Sequence, residues 1–292
     1  MKLDNLRCFC AVVEEGSFRS AAGRLHVSQP AVSQQIKALE RGLKRTLLER
    51  RGCRPTPVGQ RLYDRARHIL NETESLSREL DDFDEAEARE LRVGTSDTTA
   101  LYLLPPVVRA FSRAMPQTRL VLINRSSDAI AAQVRRGELD LGIVTLPVAS
   151  EDLVQRDLFK QQLVLVTPRR HRLASRSRVS LADLGGEAYL LLDPRTRTGS
   201  LLGEHFDREG FRPQVVLDSG SFEVIKRYVA QGVGLAFLPR VTVTRGDVGL
   251  AIIEVEGLPS VRIGAIWRRH AYRTRAESTF LDMIAAALSG KD

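Results

Sequence analysis

Apolar residues repeat along this chain with two periods, and the change from one to the other divides it. Over the first ninety residues the period is helical. Leu6, Phe9, Cys10 and Val13 line one face of a helix predicted over 3–15, which Gly16 ends. A second helix, 18–25, follows Ser17, a favoured N-cap residue. His26 and Val27 make a turn. Ser28 then caps a third helix, with Pro30 in its first turn, where a missing N–H costs nothing. Ala31, Val32, Ile36, Leu39 and Leu43 fall on one stripe of that helix and are expected to face a core. Leu6, Phe9, Val13, Phe18, Ala21, Ala22, Leu25, Val32, Ile36 and Leu39 supply enough apolar surface for a small three-helix core. The chain turns extended from Thr46 to Pro57, with Gly52 at a hairpin tip. Thr56 to Glu90 reads as one long helix. Leu62, Ile69, Leu76 and Phe83 recur every seven residues with Ala66, Thr73 and Leu80 between them, the a/d seam of a coiled coil.

From Leu91 the pattern changes. Short apolar runs at 91–95, 118–123, 139–144, 162–167, 189–192, 214–217, 235–238, 251–255 and 262–267 read as strands. Helical stretches lie between many of them, at 100–114, 128–136, 200–209 and 221–231, with a short one at 180–184 and a closing one at 275–288. Such alternation predicts α/β structure with a largely parallel sheet. The units are too many for one sheet. Two lobes are more economical, with the chain crossing near Lys160 and returning near Ile263.

The polar positions add chemistry. On the third helix Ser33, Gln34, Lys37 and Arg41 fall off the apolar stripe, with Gln29 at the N-terminal end. Gln and Ser bond base edges and Lys and Arg hold phosphates, so this face suits a DNA major groove. A bare helical pair would equally fit an ordinary hairpin with a solvated face. The neighbouring segments favour the first reading. The hairpin carries Arg50, Arg51 and Arg54, as a wing reaching phosphates or a minor groove would. A coiled coil behind it implies a dimer that reads two half-sites of a dyad.

Charge agrees. The net charge is +8; residues 1–67 hold 14 Lys and Arg against 6 Asp and Glu, whereas 68–90 hold 2 against 9. At 292 residues, 43% hydrophobic and 27% charged, the chain has the composition of a soluble globular protein of two or three domains. No apolar run approaches a membrane span. The opening MKLDNLRCFC contains an acid and lacks a cleavage pattern, which points to the cytoplasm. Three cysteines, Cys8, Cys10 and Cys53, are too few for a disulfide framework and lack metal-site spacing. The five histidines show no ligand spacing either, and GxSxG, P-loop, full GxGxxG and HExxH motifs are missing, so neither an enzyme nor a bound cofactor is expected.

AAGRLHVSQPAVSQQIKALERGL, continuing into LLERRGCRPTPVG, resembles LysR-type transcriptional regulators. LRVGTSDTTALYLLPPVVRAF, GELDLGIV and QGVGLAFLP extend the resemblance over essentially the whole chain. It implies an α+β multidomain protein: a winged helix-turn-helix over 1–58, a linker and dimerisation helix over 59–90, and a regulatory domain over 91–292. That domain would be a two-lobed α/β structure like periplasmic binding proteins, lobe I being 91–160 with 264–292 and lobe II 161–263. The resemblance further implies double-stranded DNA as partner, self-association to a tetramer, contact with RNA polymerase, and a small-molecule co-inducer between the lobes. Its groove-reading positions fall on Gln29, Pro30, Ser33 and Gln34, with Lys37 near phosphate and Arg50 on the wing. Its effector positions surround the cleft: Ser96, Asp97, Thr98 and Thr99, then Ser127, Thr145, Thr196, Thr198, Ser221 and Phe222.

The residues carry a reading of their own here. Ser96 to Thr99 lie between a strand's carboxyl end and a helix N-terminus, where hydroxyls and free N–H groups favour an anion. Arg195 and Arg197 strengthen that case if they turn inward, although loop arginines commonly face solvent. Asp97 instead favours an amine or hydroxyl. An amino acid and an aromatic or aliphatic acid both fit. The peroxide-sensing mechanism of the family uses regulatory-domain cysteines, and all three cysteines here lie in the DNA-binding half.

Overall fold

The structure is a computed structural model describing residues 2–49, 52–83, 89–244 and 246–288. The chain forms two compact units that divide between Glu85 and Ala86.

In the first unit, helices α1 (Leu3–Glu15), α2 (Phe18–Arg24) and α3 (Gln29–Leu43) precede the long α4 (Pro57–Phe83). The caps are local. The Ser17 and Ser28 side chains accept from Ser20 N and Ala31 N, and Gly16 ends α1 in the left-handed region. Phe9, Val12, Ala21, Val32, Ile36 and Leu39 close the core with both Cys8 and Cys10. Leu43 instead lies 38% exposed at the end of α3, because the chain turns away at Lys44. Leu48 and Pro55 form an antiparallel bridge and Glu49 N donates to the Arg54 carbonyl, so the described arms on either side of the tip pair as a hairpin's do. Gly59 is required where α4 begins: a Cβ there would lie 2.0 Å from the Leu47 carbonyl oxygen. The heptad positions divide along α4. Ala66 and Leu70 are buried in this unit's own core, with Leu62 packed against it, whereas Ile69, Leu76 and Leu80 are exposed. The helix also ends before Glu90, since Arg89 and Glu90 already pair with Thr118 and Arg119 as strand.

The second unit has two lobes. Lobe I contains β1 (Arg89–Thr95), α5 (Asp97–Tyr102), α6 (Leu104–Ala114), β2 (Thr118–Asn124), α7 (Ser127–Arg136), β3 (Leu141–Thr145) and β4 (Leu153–Gln161). Lobe II contains β5 (Leu163–Pro168), β6 (Arg178–Val179), β7 (Ala188–Leu192), α8 (Arg197–Glu209), β8 (Gln214–Ser219), α9 (Phe222–Ala230), β9 (Ala236–Pro239) and β10 (Leu250–Val255). The chain then returns to lobe I as β11 (Val261–Arg268) and closes with α10 (Arg275–Leu288). Lobe I orders its strands β2-β1-β3-β11-β4, with β11 antiparallel to both neighbours. Lobe II has a β6-β10-β5-β9 sheet and a parallel β7–β8 pair, bridged to it between Tyr189 and Leu235. In each lobe the strand that runs against the rest is the one delivered by a crossing.

Two expectations shift. Val261, Arg262 and Ile263 pair with Gln161, Lys160 and Phe159, so the return falls before Val261 and these residues belong to lobe I. Strand β4 had no counterpart in the sequence pattern, because its exposed centre, Gln155, Arg156 and Asp157, interrupts the apolar alternation.

Candidate functional site

Two surfaces hold the singled-out residues. The first is α3. Val32, Ile36 and Leu39 point into the core, and Gln29, Pro30, Gln34, Lys37 and Arg41 are exposed around the opposite side, with Ser33 half-buried beside them. The turn before it is tight: His26 sits at φ 54°, in the left-handed region. Glu40 ties α3 to the hairpin by accepting from Leu47 N at 2.7 Å and Leu48 N at 3.4 Å. Arg54 is exposed on the hairpin's return strand, where Glu49 N donates to its carbonyl. Arg50 and Arg51 lie outside the described residues.

Glu14 fastens α4 to this head. Its carboxylate accepts from Arg24 on α2 at 2.6 Å and from the Tyr63 hydroxyl on α4 at 3.0 Å, with Arg67 at 3.3 Å. Burial pushes the neighbouring Cys10 thiol up to about 12, so it stays protonated and unreactive at neutral pH.

The second surface is the cleft between the lobes. Helices α5, α7, α8 and α9 all begin just past a parallel strand, two in each lobe. Much of the expected hydroxyl cluster is committed to building those helix starts. Ser96, Ser126, Thr196 and Ser221 accept from Thr99 N, Ala129 N, Gly199 N and Val224 N as caps. The helix starts at Asp97, so Thr98 and Thr99 lie inside its first turn and are buried; Asp97 is exposed. Ser127 is buried and accepts from Thr145 N, while Thr198 is buried and Phe222 packs on the lobe II core. Gly199 lets the loop close on α8, since a Cβ would lie 2.3 Å from the Asp193 carbonyl oxygen.

A cavity of about 490 Å³ opens between the lobes. Of the expected effector residues it gathers Thr145 and Thr196; Ser96 to Thr99, Ser127, Thr198, Ser221 and Phe222 do not line it. Its other lining includes Asp128, Pro147, Arg197, Ser200, Glu204 and Arg262. The two loop arginines diverge. Arg195 is 90% exposed and bound to Asp193, whose carboxyl it holds down at about 2 through hydrogen bonds. Arg197 turns across the cleft to Asp128 and the Pro147 carbonyl.

A second inter-lobe contact centres on the buried Lys226, with Tyr102 and Glu223 half-buried beside it. The Tyr102 hydroxyl, at the end of α5, donates to Glu223 and accepts from Lys226 Nζ at 2.7 Å, both on α9. Nζ also donates to the Thr242 carbonyl at 2.8 Å and lies 3.3 Å from Asp247. Burial alone would lower the lysine's pKa, but its hydrogen bonds with Tyr102 and Glu223 carry it above the ordinary 10.5. No local motif links Tyr102 to Glu223 and Lys226, which lie more than 120 positions further along the chain.

A capped helix-turn-helix with a polar reading face, a hairpin beside it and a two-lobed α/β domain define a DNA-binding transcriptional regulator with an effector domain. Residues 3–60 match the bacterial regulatory helix-turn-helix protein, lysR family, and residues 84–289 match the LysR substrate binding domain. The chain belongs to the LysR-type transcriptional regulators. It is 30% identical over 290 residues to a probable RuBisCO transcriptional regulator of Porphyra purpurea, covering 95% of this chain and 91% of that one. A full-length OxyR variant from Pseudomonas aeruginosa superposes with a TM-score of 0.77 at 28% identity, over 97% of this chain and 94% of that one. The Synechocystis PCC6803 CcmR regulatory domain in complex with 2-PG superposes at 0.63 with 25% identity, over 69% of this chain and 98% of that one. No helix among the described residues is long and apolar enough to cross a membrane.

Proposed function

We propose that the protein is a cytoplasmic bacterial regulator that reads a dyad promoter site as a dimer of dimers. Gln29, Pro30, Ser33 and Gln34 read base edges; Lys37, Arg50, Arg51 and Arg54 hold the backbone. The observation that carries this reading is the two-sided α3, with Val32, Ile36 and Leu39 fully buried and its uncharged polar residues exposed at the N-terminal end. Exposed Ile69, Leu76 and Leu80 support pairing through α4. The inter-lobe cavity supports a mid-sized effector, an organic acid or amino acid, in keeping with the 2-PG bound by the CcmR domain. RNA polymerase is the partner through which output changes.

Fluorescence anisotropy with promoter duplexes tests the DNA reading. Gln34→Ala is expected to cost about 1–3 kcal/mol on the specific site and little on scrambled DNA. An equal loss on both shows that Gln34 touches only backbone. Absence of specific binding by the wild type at moderate salt refutes the function.

A further inference from the structure

Three arginines line the inter-lobe cavity among the described residues, and they are paired differently. Arg262 forms a complete fork with Asp157 inside lobe I: Nε donates to Oδ1 at 2.9 Å and Nη2 to Oδ2 at 2.7 Å. Arg195 likewise engages both oxygens of Asp193, in its own loop. Arg197 reaches from lobe II to lobe I and finds half a partner. Its Nε and Nη2 converge on one oxygen, Asp128 Oδ1, and Nη1 donates to the Pro147 carbonyl. A guanidinium binds a carboxylate or phosphate best through two parallel bonds to two oxygens. The Asp128 side chain is 67% exposed and that of Arg197 30%, so water screens the pair.

We infer that Asp128 is a built-in competitor for the effector's acid group: it occupies Arg197 in the empty cleft and yields it to an anion that offers two oxygens. Arg197 is the residue that selects an acidic ligand, and Asp128 sets the concentration at which that ligand is sensed. The Thr145, Thr196 and Ser200 hydroxyls share the cavity and can take the ligand's remaining acceptors. While Asp128 holds Arg197, only part of the population is competent, and apparent affinity falls by that fraction. This inference rests on the reading that the cleft takes an effector. Its test uses the protein without DNA, so failure of promoter binding and failure here are separate results.

The full chain is titrated with phosphate, succinate, aspartate and benzoate at matched ionic strength, with thermal stability as readout. Asp128 lies in the exposed first turn of α7, so Asp128→Asn keeps the fold. At least one of the four acids is expected to half-saturate Asp128→Asn at a concentration ten-fold or more below that for the wild type. Adding Arg197→Gln is expected to abolish the response. Equal half-saturation in wild type and Asp128→Asn overturns the inference, as does no response of Asp128→Asn to any of the four, or a response that survives Arg197→Gln.

Discussion

Two polar side-chain contacts between the lobes are built on opposite principles. At Lys226 the charge is 6% exposed, and Tyr102, Thr242, Glu223 and Asp247 surround the ammonium with acceptors. At Arg197 the partner carboxylate stands largely in water, and one oxygen takes both donors. Removing a partner from a buried, satisfied network leaves groups that nothing else solvates, so such a network fixes geometry. An exposed pair loses little when it parts, because water replaces the bond. The first contact therefore sets how the lobes meet, and the second can be exchanged for a ligand.

Substitutions at the two contacts should differ most in stability. Lys226→Met is expected to cost the most, about 3 kcal/mol, by stranding Asp247 and the Thr242 carbonyl; chemical denaturation of the full chain measures it. A cost comparable to that of an exposed pair erases the contrast. The lysine contribution should also have a defined pH window. Its folded pKa is raised, so its stabilisation is complete below the ordinary 10.5 and fades as pH climbs through the folded value. Burial would raise the Asp247 carboxyl, but hydrogen bonds from Thr244 and the charge of Lys226 hold it below the ordinary 3.8, so its share is present above that value and fades in acid. The stability gap between wild type and Lys226→Met should thus be flat from roughly pH 5 to 9. Tyr102→Phe, which removes one hydroxyl from the network, is expected to cost about 1 kcal/mol. Asp128→Asn should fall within about 0.5 kcal/mol of wild type in the same assay. A larger loss there would make the Arg197 pair a structural bond.

How much of this was legible in sequence depended on how local the cause was. Ser17 and Ser28 announced helix starts because a cap acts within three residues. The stripe of Val32, Ile36 and Leu39 announced the core face of α3 for the same reason. The heptad was visible as a period, but period alone does not say what each position packs on: Ala66 belongs to this chain's core, and Leu76 and Leu80 lie open. The cleft was harder. Its hydroxyl residues were visible as types, but capping had already used several of them. Tyr102, Lys226 and Asp128 gave no signal, since what matters is which distant element each one meets.

An effector bound in the cleft is expected to change how the reading helix engages DNA. Fluorescence anisotropy of the full chain on a dyad duplex tests it, with and without a saturating amount of whichever of the four acids binds. The DNA-binding midpoint of the wild type is expected to shift at least five-fold at constant ionic strength, and that of Arg197→Gln not at all. Superimposable wild-type isotherms with and without the bound acid would contradict that expectation.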